Sequence, residues 1–217
     1  MMASITLMLM SGLAAAGSAN GGDHEVSLEL GSLGSRDESW SIFSDYDQLG
    51  SVGGRVGYAL GPRWSVLGDY QVGRYGESLV SEPEDYSDDY EYSEAGLDIT
   101  IHQLSIGPKY DVMVKHWLRP YATVQGLGLM GRLRLTEDDE DPTRYSDIAP
   151  GGLAALGVDL VPGRKRRSVH AASHLELGYA RAFALNFEDR DAGNEPVAIG
   201  DLKLGGLYVR WGVGIRF

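Results

Sequence analysis

The 217-residue chain has no cysteine, so neither a disulfide nor a thiolate metal site can hold it together. It also lacks any apolar run of about twenty residues, which excludes a membrane-spanning helix. Basic residues are few. Lys and Arg number 19 against 31 Asp and Glu, a net charge of −12 that disfavours nucleic acid as a partner. None of the 19 precedes Arg36. The chain is instead rich in glycine (30) and tyrosine (12), a bias toward turns and interfacial aromatics over helices.

The first 16 residues are apolar or small, with Ile5, Leu7, Met8, Leu9, Met10 and Leu13 at their centre. The small residues Ala14-Ala15-Ala16-Gly17-Ser18-Ala19 follow, as they do before a signal-peptidase cut. The positive n-region of an export signal is missing. The composition nonetheless predicts a cleaved signal over 1–19 and a single domain over 20–217.

The other end is the more informative. From Leu207 to Phe217 every second residue is large and apolar: Leu207, Val209, Trp211, Val213, Ile215, Phe217. Tyr208, Arg210, Gly212, Gly214 and Arg216 lie between them. A period of two puts one set on each face of a strand. A greasy outer face opposite a charged or small inner face suits a strand with lipid outside and a polar lumen inside.

Seven more segments alternate in this way, at about 24–34, 50–60, 64–76, 97–110, 120–135, 150–161 and 169–182. In the fourth, Ile99 and Ile101 fall on the opposite phase to Leu104 and Ile106, which predicts a bulge near His102. The connections alternate in length. Short ones hold Gly61-Pro62-Arg63, the 111–118 region and the basic run Arg164-Lys165-Arg166-Arg167. Long ones, about 35–49, 77–96, 136–148 and 183–201, carry most of the acid. Tyr58, Trp64, Tyr110, Trp117, Tyr121 and Phe217 map near the short-turn rim, as an interfacial girdle does.

With its terminal aromatic, alternating strands and sorted loops, the chain resembles the small eight-stranded bacterial outer-membrane proteins: the OmpA barrel domain and its OmpX- and opacity-like relatives. The resemblance implies an all-β fold, a single eight-stranded up-and-down antiparallel transmembrane β-barrel in the outer membrane of a Gram-negative bacterium. It implies a terminal strand (Val209, Trp211, Val213, Ile215, Phe217) read by the outer-membrane assembly machinery. The implied surroundings are outer-membrane lipid and lipopolysaccharide, with any extracellular ligand unknown.

By parity the lumen of such a barrel holds a charge network of Arg55, Asp69, Arg132, Arg134, Glu176 and Arg210, with Gln71, Gln103, Lys109 and His174 beside it. Eight strands enclose a space that side chains fill, so these charges must be paired or hydrated. Glu176 is expected to pair with arginines such as Arg132 or Arg134. The network is either a plug or the latch of a narrow gated channel. Asp138, Asp139, Glu140 and Asp141 offer hard oxygen ligands but no fixed spacing, so they are weak metal candidates. A lipid-A-modifying enzyme needs His and Ser on one face. The pairs His102/Ser105 and His170/Ser173 are three apart and fall on opposite faces. No catalytic residue and no cofactor is assigned. The expected role is structural, or surface interaction through the long acidic loops.

Overall fold

The computed structural model describes residues 24–35, 48–81, 93–114, 117–137, 143–162, 169–189 and 197–217. The proposed signal, the Asp138, Asp139, Glu140 and Asp141 run and the basic turn 164–167 lie outside them. Within the described residues the chain is all-β. The wall consists of β1 (Glu25–Ser35), β2 (Gln48–Ala59), β3 (Trp64–Ser81), β4 (Ser93–Asp111), β5 (Leu118–Glu137), β6 (Thr143–Leu160), β7 (His170–Ala182) and β10 (Leu204–Arg216). Each pairs antiparallel with its chain neighbour, and β10 closes on β1 to complete a barrel of eight strands. Two more strands, β8 (Leu185–Asp189) and β9 (Val197–Leu202), form a separate hairpin between β7 and β10.

The seam between first and last strands runs from Glu25↔Arg216 to Leu33↔Tyr208 and then slips before Ser35↔Leu204. Gly206 takes up that irregularity at a φ of 131°, a conformation that L side chains rarely adopt. At the opposite end, His24 and Phe217 exchange two backbone hydrogen bonds at 2.9 and 3.0 Å, which fastens the two termini of the barrel wall together.

Three expectations about strand extent need correction. First, β3 to β6 run 18 to 20 residues, about twice the 9–11 that a tilted transmembrane strand requires. Their ladders continue to Ser81↔Ser93 and Leu135↔Thr143, through much of the segments expected as loops at 77–96 and 136–148. Apolar alternation marks only the part of a strand with one greasy face, whereas backbone pairing carries on beyond it. Second, the 183–201 segment contains β8 and β9. Third, there is no bulge at His102. The β3–β4 pairing is unbroken from Trp64↔Tyr110 upward, and Ile99 and Ile101 point inward.

That third point exposes the organisation of the interior, which has two tiers. Toward the short-turn rim the lumen is polar. Toward the long-loop rim it is apolar, built from Leu33, Leu49, Ile99, Ile101, Leu127, Leu129, Leu133 and Leu153. Leu185, Phe187 and Leu202 of the β8–β9 hairpin drop into this layer, with Leu185 and Phe187 over Gly131 of β5. Burying each such side chain contributes about 1.5–3 kcal/mol, which favours a dry upper lumen over a hydrated one. The outer wall is the reverse of a soluble surface. Leu28, Leu104, Ile106, Leu156 and Leu207 are each 63–73% exposed.

Tyr121 is a further departure, since it is buried in the lumen and not part of the girdle. Gly157 opposite makes room for its ring. A Cβ there would lie 2.2 Å from Tyr121 Cζ. Gly157→Val is expected to push the ring aside and lower stability to urea by about 1–3 kcal/mol. Gly50→Ala, with nothing within 4 Å of the new methyl, serves as the neutral control. Equal midpoints for the two variants would contradict this packing.

Candidate functional site

The polar tier of the lumen is the only large cluster of buried charge among the described residues, and it is built by parity. On β1, Glu25, Ser27 and Glu29 alternate with Val26, Leu28 and Leu30, so the carboxylates face in while the aliphatic residues face out. Arg55 of β2, Asp69 and Gln71 of β3, Glu176 and His174 of β7 and Arg210 of β10 point to the same axis, all at most 6% exposed.

Arg55 is the hub. Its Nε lies 2.6 Å from Asp69 Oδ1 and 3.0 Å from Glu29 Oε1, and its Nη2 lies 3.0 Å from Glu176 Oε2. Arg210 takes the other side of the same carboxylates, with Nη1 2.9 Å from Asp69 Oδ2 and 3.5 Å from Glu176 Oε1. Two tyrosines complete the Glu176 shell. Tyr208 donates to Oε1 at 2.7 Å and Tyr121 to Oε2 at 2.9 Å. Glu29 accepts from Gln71 Nε2 at 3.0 Å and meets His174 Nε2 at 2.8 Å. Two guanidinium groups therefore face three carboxylates, with neutral donors and the imidazole filling the remaining lone pairs. Buried carboxylates persist only with such partners.

A second cluster lies nearer the short-turn rim. Lys109 Nζ is 2.6 Å from Asp159 Oδ2 and 3.3 Å from Glu25 Oε2, and Arg216 bonds both of those carboxylates. Lys109 also sits 4.2 Å above the Tyr121 ring, which connects the two clusters. The connected side chains span the lumen from wall to wall.

The structure thus brings Arg55, Asp69, Glu176 and Arg210 together, and it corrects the placement of Arg132 and Arg134. Both are exposed on the outer wall, because β5 turns Leu127, Leu129 and Leu133 inward against the dry tier. The partners of Glu176 are Arg55 and Arg210. Sequence inspection missed Glu25, Glu29 and Asp159, and it set Tyr208 and Arg216 on the inner face of the closing strand without joining them to the charge network. The signal for each was present, since every one shares its strand's parity with a residue already assigned to the lumen or alternates with apolar neighbours. Val209, Trp211, Val213 and Ile215 all face outward, exposed on the seam strand. His102 faces outward, 2.7 Å from Tyr70 Oη, while Ser105 is buried in the lumen, so the two do not share a site. Among the described residues no group of His, Asp and Glu is arranged to hold a metal ion.

No protein-family model matches the chain, and no curated protein matches it by sequence. Solved structures do. The attachment invasion locus protein Ail of Yersinia pestis superposes with a TM-score of 0.51 at 14% identity, over 90% of this chain and 99% of that one. Neisserial surface protein A superposes at 0.44 and 12% identity, over 90% and 97% of the two chains. OprG of Pseudomonas aeruginosa gives 0.44 and 12%, over 91% and 97%. The closed order of strands and the likeness to Ail together establish the fold: an eight-stranded, up-and-down antiparallel β-barrel of the outer-membrane kind.

Proposed function

We propose that the protein is an integral outer-membrane barrel that acts as a structural or surface-interaction protein through its long acidic loops, without conducting solutes and without a catalytic centre. What carries this reading is a lumen filled with side chains at two levels. Charged side chains bridge the lower tier, and an apolar layer stoppered by Leu185 and Phe187 fills the upper one. A passage for polar solutes would have to cross both. Membrane residence is supported by the apolar outer wall, which far exceeds the exposed patches a soluble monomer tolerates. It is supported as well by the aromatic residues Tyr58, Trp64 and Trp117 exposed near the short-turn rim.

The purified barrel in planar bilayers is expected to be electrically silent, and protease or an impermeant label on intact cells to reach Tyr86, Tyr90 and Asp139 but not Lys165. Stable unitary conductance from the wild-type protein would favour the alternative, a narrow gated channel. Labelling confined to Lys165 would invert the topology.

A further inference from the structure

The outer wall carries one feature that the lipid-facing belt does not explain. Where β3 to β6 project above the belt, the outward faces of four adjacent strands form a cleft of about 460 Å3 lined by Arg74, Asp98, Thr100, Arg132, Arg134 and Arg144. The register makes this a compact lattice. Arg74, Thr100, Arg132 and Ser146 are successive cross-strand partners, and Asp98, Arg134 and Arg144 form the next row. Asp98 is engaged by Arg74 at 3.2 Å. Among the described residues, Arg132, Arg134 and Arg144 have no carboxylate partner.

Two observations point to an anion. Arg134 and Arg144 are direct cross-strand neighbours, and like charges in that position repel unless something negative lies between them. Four arginines also gather here in a chain whose net charge is −12 and whose loops are acidic, so the cluster is not a sample of the general surface.

The height of the cleft identifies the source of the anion. Trp64 and Tyr110 meet in a tilted ring contact with centroids 4.9 Å apart at the short-turn rim, and Arg74 and Thr100 stand ten residues above them on the same two strands. Ten residues are about 33 Å along a strand, or about 25 Å of depth at a ~40° tilt, the height of the apolar band in such barrels. The hydrogen-bonded Tyr70–His102 pair faces outward just below the arginines, as polar aromatics do at a membrane–water boundary.

We propose that this cleft binds the phosphate groups of phosphorylated lipid headgroups in the outer leaflet, with Arg132, Arg134 and Arg144 as the principal contacts. The proposal rests on the membrane reading above and adds a specific lipid site to it. Guanidinium groups fork onto phosphate oxygens, and a headgroup whose tails lie along the apolar wall presents its phosphates at this level.

The test uses the refolded full-length protein. Fluorescent diphosphoryl lipid A is titrated into the barrel in a nonionic detergent, with the dephosphorylated lipid and millimolar inorganic phosphate as separate arms. The triple variant R132Q/R134Q/R144Q is expected to raise the Kd on the order of a hundredfold, about fivefold per arginine. The triple Lys variant should recover part of the loss. Arg63→Gln, at the opposite rim, should leave binding unchanged. Each protein is checked for its heat-modifiable gel shift, so a misfolded variant is recognised and replaced by the three single substitutions. An unchanged Kd, equal binding of the dephosphorylated lipid, or full displacement by inorganic phosphate would each overturn the proposal. Flotation of the wild-type barrel with phosphatidylcholine vesicles separates the two hypotheses. A barrel that does not float refutes membrane residence itself, whereas one that floats but shows no preference for phosphorylated lipid refutes only this site.

Discussion

Arg55→Met is expected to destabilise the barrel by about 3–5 kcal/mol, the range for stripping one partner from a buried ion cluster. Methionine matches much of the arginine stem, so little of the loss comes from a cavity. What is lost is the cation shared by Asp69, Glu29 and Glu176, three carboxylates that then have only Arg210 among the guanidinium groups. Urea unfolding in detergent micelles, followed by tryptophan fluorescence, reads the effect. Glu176→Gln is expected to cost less, because two arginines still face Glu29 and Asp69. The tyrosines and arginines that it served then meet an amide in place of a carboxylate. A loss below about 1 kcal/mol for Arg55→Met, comparable with an exposed pair, would mean that water penetrates the lower tier and screens it.

Trp211→Arg and Val213→Arg, on the lipid-facing side of the closing strand, are each expected to cost about 2–4 kcal/mol if they lie near the bilayer midplane. The double variant should fail to form the heat-resistant, fast-migrating species on gels. Both residues are outward and about half exposed, and they pair with Leu30 and Leu28 of β1 across the seam. The penalty therefore falls where the barrel must close. Removing Phe217 deletes one side of the terminal pair of hydrogen bonds with His24 and is expected to slow assembly in cells more than it weakens the folded barrel. Normal assembly of the double variant would mean that the seam strand is not read by its apolar face and that this wall is not in lipid.

The number of wall strands, their order and their approximate positions were legible in the chain, because a wall with lipid on one side imposes a strict two-residue alternation. Arg55, Asp69, Glu176 and Arg210 followed from the same rule, and Glu25, Glu29 and Asp159 would have followed had it been applied to every strand. It failed at Ile99, Ile101, Leu127, Leu129 and Leu133. There the rule that apolar residues face lipid and polar residues face the lumen is reversed, since the upper lumen is itself apolar. Arg132 and Arg134 were sent inward by that one assumption.

Sequence by itself determined the barrel, since alternation, turn residues and the terminal strand are local properties that each segment carries alone. Only the tertiary structure decided which face of the upper β4 and β5 is inside. That choice depends on what fills the lumen at a given height, and the filling comes from Leu185, Phe187 and Leu202, on a hairpin whose first strand alternates over only four residues, Leu185-Asn186-Phe187-Glu188. The pairing of Glu176 with Arg55, 121 residues away, was likewise set by closure. Parity places a charge in the lumen, but which charges meet there depends on the strand stagger that brings them to one level.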